Sequence, residues 1–376
     1  MLNFYEFFSG GGMARIGLGQ GWNCLFANDI DEKKAAVYKA NFDGAPELKV
    51  CDVAAVFPAD LPGTADLAWA SFPCQDLSLA GNRGGLAAER SGAFWPFWRL
   101  MQGLMAEKRA PRLIVLENVG GALTSYDGKD FLAIVEAFTQ AGYRFGAMVI
   151  DAVHFLPQSR PRLFIIGVRA DLEIPRGIKL SAPDPLWHSA VVRERVKQLP
   201  FKVRRRWVWW KLPAPPPRKM VFADVIEEAP QGVDWHTPEE TRRLLALMSE
   251  VNRAKVSMAQ ATGRRMVGGV YKRTRNGEQR AEVRFDDVAG CLRTPVGGSS
   301  RQTILIVEGA RIRSRLLSPR EAARLMGLPE SYALPERYNE AYHISGDGLA
   351  VPVVRHLAAS IFEPMLVRPE WLAAVG

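Results

Sequence analysis

Through the first 170 residues, short apolar runs alternate with polar turns and helix-length segments. That is the rhythm of a parallel sheet covered by helices, because strands buried on both faces read as continuous apolar runs. The runs predict strands at 3–8, 24–28, 67–70, 113–117, 146–151 and 162–168. Helices are predicted at 31–41, which opens on acidic residues, and at 130–141, which stops before Gly142. The predicted architecture is a doubly wound α/β sheet.

Near residue 171 the texture changes. Prolines accumulate (Pro175, Pro183, Pro185, Pro200, Pro213 and the run 215–217), tryptophans cluster, and cations bunch together. RRRWVWWK at 204–211 and RRMVGGVYKRTR at 264–275 interleave cations with aromatic or small residues, as a phosphate-contacting surface or a solvated basic face does. Helical periodicity returns in SPREAARLMGLP at 318–329, where Ser318 can cap, Pro319 can sit in the first turn and Gly327 can stop the helix. The division expected from these shifts is a first domain of 1–180 and 340–376, a small second domain of 181–318 and a connecting helical segment of 319–339.

Composition narrows the class. With 376 residues and 48% hydrophobic positions the chain can bury a sizeable core, which argues against disorder. A net charge of +9 favours a polyanionic partner. The four cysteines, Cys24, Cys51, Cys74 and Cys291, are widely separated and show neither CxxC pairs nor zinc-like spacing, so no metal is expected. The first residues lack a basic region followed by an apolar stretch, and no unbroken apolar run reaches membrane-spanning length. A cytoplasmic protein without a membrane partner is expected.

The candidate chemistry centres on FPCQ at 72–75, a thiol between proline and glutamine, in a chain that opens with the glycine-rich FSGGG at 8–12. A thiolate attacks electron-poor carbon, whereas a lone cysteine is more often a small buried hydrophobe. Glycines after a first strand allow a tight turn and close backbone approach to a cofactor. The string is not GxGxxG, so it does not match the loop that cradles a pyrophosphate. Carboxylates at the ends of the next strands, Asp29 and Asp52, suit ribose hydroxyls and an adenine amine. Read by itself, Glu117 is a capping or salt-bridged carboxylate, and Arg160 with Arg162 is a surface pair.

FSGGG, NDID at 28–31, FPCQDLS at 72–78, ENV at 117–119, QSRPR at 158–162, SPREAARLMGLP and AYHISGDG at 341–348 stand in one order. This series closely resembles the ordered motifs of the cytosine-C5 DNA methyltransferases. It covers the chain except for roughly 175–285, where a variable basic insert lies. The resemblance implies a Rossmann-like fold that binds S-adenosylmethionine, which has no pyrophosphate, and releases S-adenosylhomocysteine. It implies cofactor contacts from Phe8 on the adenine, Ser9, Gly10, Gly12, Asp29 on the ribose, Ile30, Asp52 on the adenine amine, Phe72, Pro73 and Asp347.

It further implies that Cys74 attacks cytosine C6 so that C5 can accept the methyl group, on a base extruded from the duplex. Glu117 would bind N3 and the exocyclic amine and hold a proton if buried, with Asn118 beside it. Arg162 would meet the O2 side, and Arg160 would support the catalytic loop. The segment 70–92, rich in Gly and Ser, is the expected closing loop, with Gln75, Ser78 and Arg83 against double-stranded DNA. Arg204, Arg205, Arg206, Lys272, Arg273, Arg275 and Thr294 are the remaining expected DNA contacts.

Three positions depart from the family pattern: Ser71 stands where glycine is usual, Asp29 where glutamate is common, and Asp347 where asparagine is usual. A nicotinamide oxidoreductase would want GxGxxG and has no use for the later motifs. A tRNA methyltransferase of the same kind would carry Cys-Phe-Thr between 171 and 310, and that string is absent. A non-catalytic relative would have lost Cys74 or Glu117, and no length remains for a nuclease domain. A monomer acting on DNA, with a restriction endonuclease as functional companion, is the expected setting.

Overall fold

The computed structural model describes residues 1–73, 92–275, 277–294 and 301–367. These fall into two compact units. Unit 1 comprises residues 1–150, 161–215 and the segment from 351, and unit 2 comprises 151–160 and 216–350.

Unit 1 is built on a sheet of β1 (Leu2–Phe7), β2 (Trp22–Asp29), β3 (Leu48–Val50), β4 (Leu67–Ala70), β5 (Leu113–Asn118), β6 (Tyr143–Asp151) and β7 (Pro161–Arg169). The strand order is β3-β2-β1-β4-β5-β7-β6. The inner strands pair in parallel, and β7 runs antiparallel to β5. Apolar runs on β1, β4 and β5 are buried on both faces. Covering them are α1 (Met13–Leu18), α2 (Glu32–Asn41), α3 (Phe94–Ala106) and α4 (Lys129–Gln140). Phe94, Phe97, Trp98 and Met101 of α3 and Phe131, Val135 and Phe138 of α4 fill the core against Phe7, Ala70 and Leu116.

All six expected strands form, and β3 is added to them; at three residues it is too short for periodicity to announce. After β7, the segment to residue 215 stays with unit 1. It carries a ribbon of β8 (Lys179–Leu180) and β9 (Trp209–Trp210), with α5 (Ala190–Gln198) and α6 (Phe201–Arg204) between them. Its apolar positions explain the placement, because Val192, Val196, Leu199 and Val203 join the main core and Trp187 and Trp210 are fully buried. The boundary expected at 180 therefore falls inside a compact unit.

Unit 2 holds an antiparallel sheet of order β11-β10-β12-β13, from β10 (Arg265–Arg275), β11 (Glu278–Arg284), β12 (Thr303–Glu308) and β13 (Arg311–Leu316). Leu244 and Met248 near α7 (Pro238–Ala246), and Val256 and Ala259 of α8 (Glu250–Ala261), pack on Val270, Val283, Leu305 and Val307. The helix expected at 318–329 is α9 (Pro319–Leu325), capped by Ser318 with a reciprocal Glu321 bond. It belongs to unit 2, as does α10 (Tyr338–Asp347), while α11 (Val351–Leu357) and α12 (Glu363–Leu366) belong to unit 1. By length and composition the 29-residue stretch Tyr338–Leu366 could cross a membrane, yet 61% of its most apolar window is buried inside the protein.

Candidate active site

Strand register lines up the candidate residues of unit 1. Phe7 stands opposite Asn28 on one side and Ala70 on the other, and Ala70 stands opposite Leu116. One residue further on, at the carboxyl edge of the sheet, come Phe8, Asp29, Ser71 and Glu117. The strand order turns about β1 and β4, and an open α/β sheet binds ligands at such a switch point.

The glycine turn is held by Asp29. Its carboxylate, 7% exposed, accepts the Gly10 N–H at 2.7 Å on one oxygen and the Asp31 N–H at 2.9 Å on the other. Asp31 in turn caps α2 through the N–H groups of Lys33 and Lys34. Gly12 has φ 77°, and a Cβ there would lie 2.2 Å from the Phe42 ring, so glycine is required twice over. Phe8 also holds a positive φ of 56°, a costly conformation for an aromatic residue and one concentrated at functional sites.

Two observations fit a ligand of mixed polarity here. The Ser9 hydroxyl is buried and has no hydrogen-bond partner among the described residues. Ile30, directly after Asp29, leaves 66% of its surface exposed. Asp52 caps a short helical turn through the Ala54 N–H at 2.8 Å, with one oxygen so engaged. The arrangement suits a nucleoside-type group whose polar edge meets Ser9 and Asp29 and whose apolar face meets Ile30.

Beneath the turn lies a cluster that sequence reasoning missed. Glu6, 1% exposed, accepts from the Tyr38 hydroxyl at 3.1 Å and the Arg15 N–H at 3.4 Å. Burial pushes its carboxyl up to about 8. Arg15 donates to Tyr38 at 3.2 Å, pairs with Glu47 and lies over the Phe42 ring at 4.3 Å. Only the acidic position inside a mostly apolar strand signalled it.

The carboxyl ends of β4 and β5 meet through Asn118, whose side-chain amide donates to the Phe72 carbonyl at 3.3 Å. Phe72 is buried against Phe94, and Pro73 is exposed. Ser71 accepts the indole N–H of buried Trp69 at 2.9 Å, which gives this departure from the family pattern a structural use. Across the antiparallel β5–β7 pair, Arg162 Nε lies 3.3 Å from Glu117 Oε1, with side-chain exposures of 17% and 11%. A half-screened pair at a sheet edge can bind a polar ring edge from two sides, the cation facing a carbonyl and the carboxyl facing an amine.

Cys74, Gln75, Ser78 and Arg83 lie outside the described residues. Of the other thiols, burial pushes Cys24 up to about 12 and raises Cys51. Among the described residues no group of three His, Cys, Asp or Glu side chains could hold a metal ion.

In unit 2, Arg160 is 2% exposed and grips backbone carbonyls: Leu292 at 3.0 Å, Gly346 at 2.8 Å and Gly348 at 2.7 Å. It thereby ties both neighbours of Asp347 to the segment that leads to Thr294. Gly346 fits tightly there, since a Cβ would lie 3.1 Å from the Thr294 nitrogen. Lys272 and Arg273 lie on β10 in the β10–β11 hairpin, where Arg273 faces Glu282 at 3.7 Å; of Arg275 only the backbone is described. Arg204 and Arg205 are exposed and Arg206 is half-buried, all three in unit 1.

Strand order, the glycine turn held by a strand-end carboxylate, and a carboxylate–guanidinium pair at the next strand ends suit a Rossmann-like protein that holds a nucleoside-type ligand at the carboxyl edge of its sheet. The chain belongs to the C-5 cytosine-specific DNA methylase family, which matches residues 2–363. It is 26% identical over 371 residues to the Type II methyltransferase M.Bsp6I of Bacillus sp. (strain RFL6), covering 97% of this chain and 100% of that protein. Against the Type II methyltransferase M.HhaI of Haemophilus parahaemolyticus it is 24% identical over 371 residues, covering 98% and 96%. Among solved structures, the methyltransferase EhMeth of Entamoeba histolytica superposes with a TM-score of 0.65 at 14% identity, covering 98% of this chain and 99% of that one. The Dnmt2 methyltransferase of S. pombe superposes with a TM-score of 0.61 at 18% identity, covering 98% and 100%.

Proposed function

We propose that this DNA cytosine-5 methyltransferase transfers a methyl group from S-adenosylmethionine to C5 of one cytosine in a short duplex sequence. The observation that carries the reading is the Glu117–Arg162 pair, set beside Phe72-Pro73 and in one row with Phe8 and Asp29. Cofactor binding is assigned to Ser9, Gly10, Asp29, Ile30 and Asp52, with Phe8 against the adenine. S-adenosylmethionine supplies an electrophilic methyl group when bound.

Cytosine C5 is a weak nucleophile, and addition of a thiolate at C6 cures that. Cys74, one residue after Pro73, forms the C6–S bond, and the ring electrons move toward C5. Glu117 holds N3 and the exocyclic amine, and Arg162 holds the O2 side, so charge developing on the ring is met by fixed partners. After the methyl group is transferred, the C5 proton leaves to a base, the C5–C6 double bond returns and the thiolate departs. The target must leave the duplex stack for these groups to reach it. Unit 2, with its basic β10–β11 hairpin, is assigned to reading the flanking sequence.

The Type II names of the relatives suggest a restriction endonuclease as functional companion, and a DNA substrate suggests a cytoplasmic, nucleoid-associated monomer. Incubation of the purified protein with labelled S-adenosylmethionine and genomic DNA of varied origin should yield labelled 5-methylcytosine. Absence of that nucleoside across all the DNA would remove the proposal.

A further inference from the structure

One segment of the chain is strongly basic. Residues 190–211 hold eight Lys or Arg and one Glu, a net charge of +7 against +9 for all 376 residues, so everything else together carries +2. This segment is the α5–α6–β9 part of unit 1, outside the sheet of unit 2. Its apolar side is committed to the fold. Val192, Val196, Leu199 and Val203 enter the main core, and Trp207 packs on Phe131 and Phe145. Backbone bonds from Phe145 N–H to the Arg206 carbonyl and from Val208 N–H to the Phe145 carbonyl fasten it along β6. An outermost strand needs such cover.

Several of its cations face outward. Lys202, Arg204 and Arg205 are exposed, and none of them has a carboxylate partner among the described residues. Phe201, 68% exposed, carries the Arg205 guanidinium over its ring at 5.8 Å. Arg204 donates to the Lys197 carbonyl at 3.2 Å, which joins the end of α5 to α6. The other basic stretch is different, because cations on it and on the strand beside it have carboxylate partners: Arg273 with Glu282, Arg265 with Glu228 and Glu308, Arg284 with Asp286. The three cations Lys202, Arg204 and Arg205, close together and backed by a rigid core, complement a regular polyanion better than cations already neutralised.

We propose that residues 190–211 form an accessory clamp for duplex DNA, gripping backbone phosphates irrespective of sequence and separately from the recognition surface of unit 2. The idea rests on the DNA methyltransferase reading and adds a second binding surface to it. Phosphate contacts of this kind confer affinity and sliding without base readout. Affinity for DNA should then rise as flanks are lengthened.

The test uses the full-length protein and random-sequence duplex DNA, with affinity measured against salt for wild type, for Lys202→Gln/Arg204→Gln/Arg205→Gln and for Lys202→Arg/Arg204→Lys/Arg205→Lys. Loss of three phosphate contacts should make the slope of log K on log salt shallower by about 2.7, at ~0.9 for each contact. The charge-preserving variant should keep the wild-type slope and the gain from longer flanks. An unchanged slope in the glutamine variant, with wild-type melting, overturns the clamp. So does a change confined to single-stranded RNA, which would assign the patch to RNA. Methyl transfer to genomic DNA, measured on the same wild-type preparation, separates the two ideas: its absence sinks the enzyme reading, and the slope still decides the clamp.

Discussion

Asp29 offers the sharpest single perturbation, because one carboxylate fixes both the glycine turn and the start of α2. Asp29→Asn keeps the shape but replaces one acceptor oxygen by a donor, so either the Gly10 N–H at 2.7 Å or the Asp31 N–H at 2.9 Å loses its partner. Leaving a buried donor unpaired costs about 1–3 kcal/mol, and loss of a charge-assisted bond places the change in the upper part, about 2–3 kcal/mol. If the turn must re-form each time ligand binds, that cost appears in the dissociation constant as roughly a 30- to 150-fold rise. Calorimetric titration with S-adenosylhomocysteine measures the constant, and thermal melting of the unliganded protein should fall as well. A constant within about twofold of wild type, where one tenfold step is 1.4 kcal/mol, together with unchanged melting would refute the claim that this carboxylate holds the turn.

Glu6 sets a pH test. Its folded value of about 8 against an ordinary 4.5 means that the folded protein retains a proton the unfolded chain gives up, so the stabilising contribution is complete below 4.5 and is lost as pH rises through 8. Glu6→Gln should therefore flatten the fall in melting temperature across that window, and an unaltered pH profile would count against it. Ser71→Gly leaves the buried Trp69 N–H, now bonded at 2.9 Å, without an acceptor, and should lower stability by about 1–3 kcal/mol in denaturant unfolding. Matching curves would mean Ser71 has no structural use. In unit 2, Glu321→Ala strands the fully buried Arg315, whose partner oxygens lie at 2.6 and 2.7 Å, and should cost about 3–5 kcal/mol. A loss under ~1 kcal/mol would show that Arg315 finds another partner.

Much of unit 1 was legible because buried parallel strands advertise themselves as apolar runs, and Asp29, Phe72 and Glu117 follow such runs directly. The three-residue β3 has no period to detect. The string RRRWVWWK mixes two roles that spacing cannot separate, its tryptophans entering the fold and its arginines facing solvent. Burial separates them, with Trp210 fully enclosed and Arg204 and Arg205 outside. Arg160 and Arg162 are two residues apart, yet Arg162 belongs to β7 and faces Glu117, while Arg160 precedes the strand and holds carbonyls of unit 2. Sequence spacing could not reveal that division, because the chain passes from one compact unit to the other between them.

Trapping of Cys74 on the target base tests the central claim most directly. DNA synthesised with 5-fluorocytosine keeps fluorine where a proton must leave, so after methyl transfer the C6–S bond cannot be released. With S-adenosylmethionine present, wild-type protein should become covalently attached to such DNA, and peptide mass spectrometry should place the link on Cys74, with none formed by Cys74→Ser. Attachment through Cys51 or Cys291, or 5-methylcytosine formed by Cys74→Ser at the wild-type rate, would contradict the mechanism.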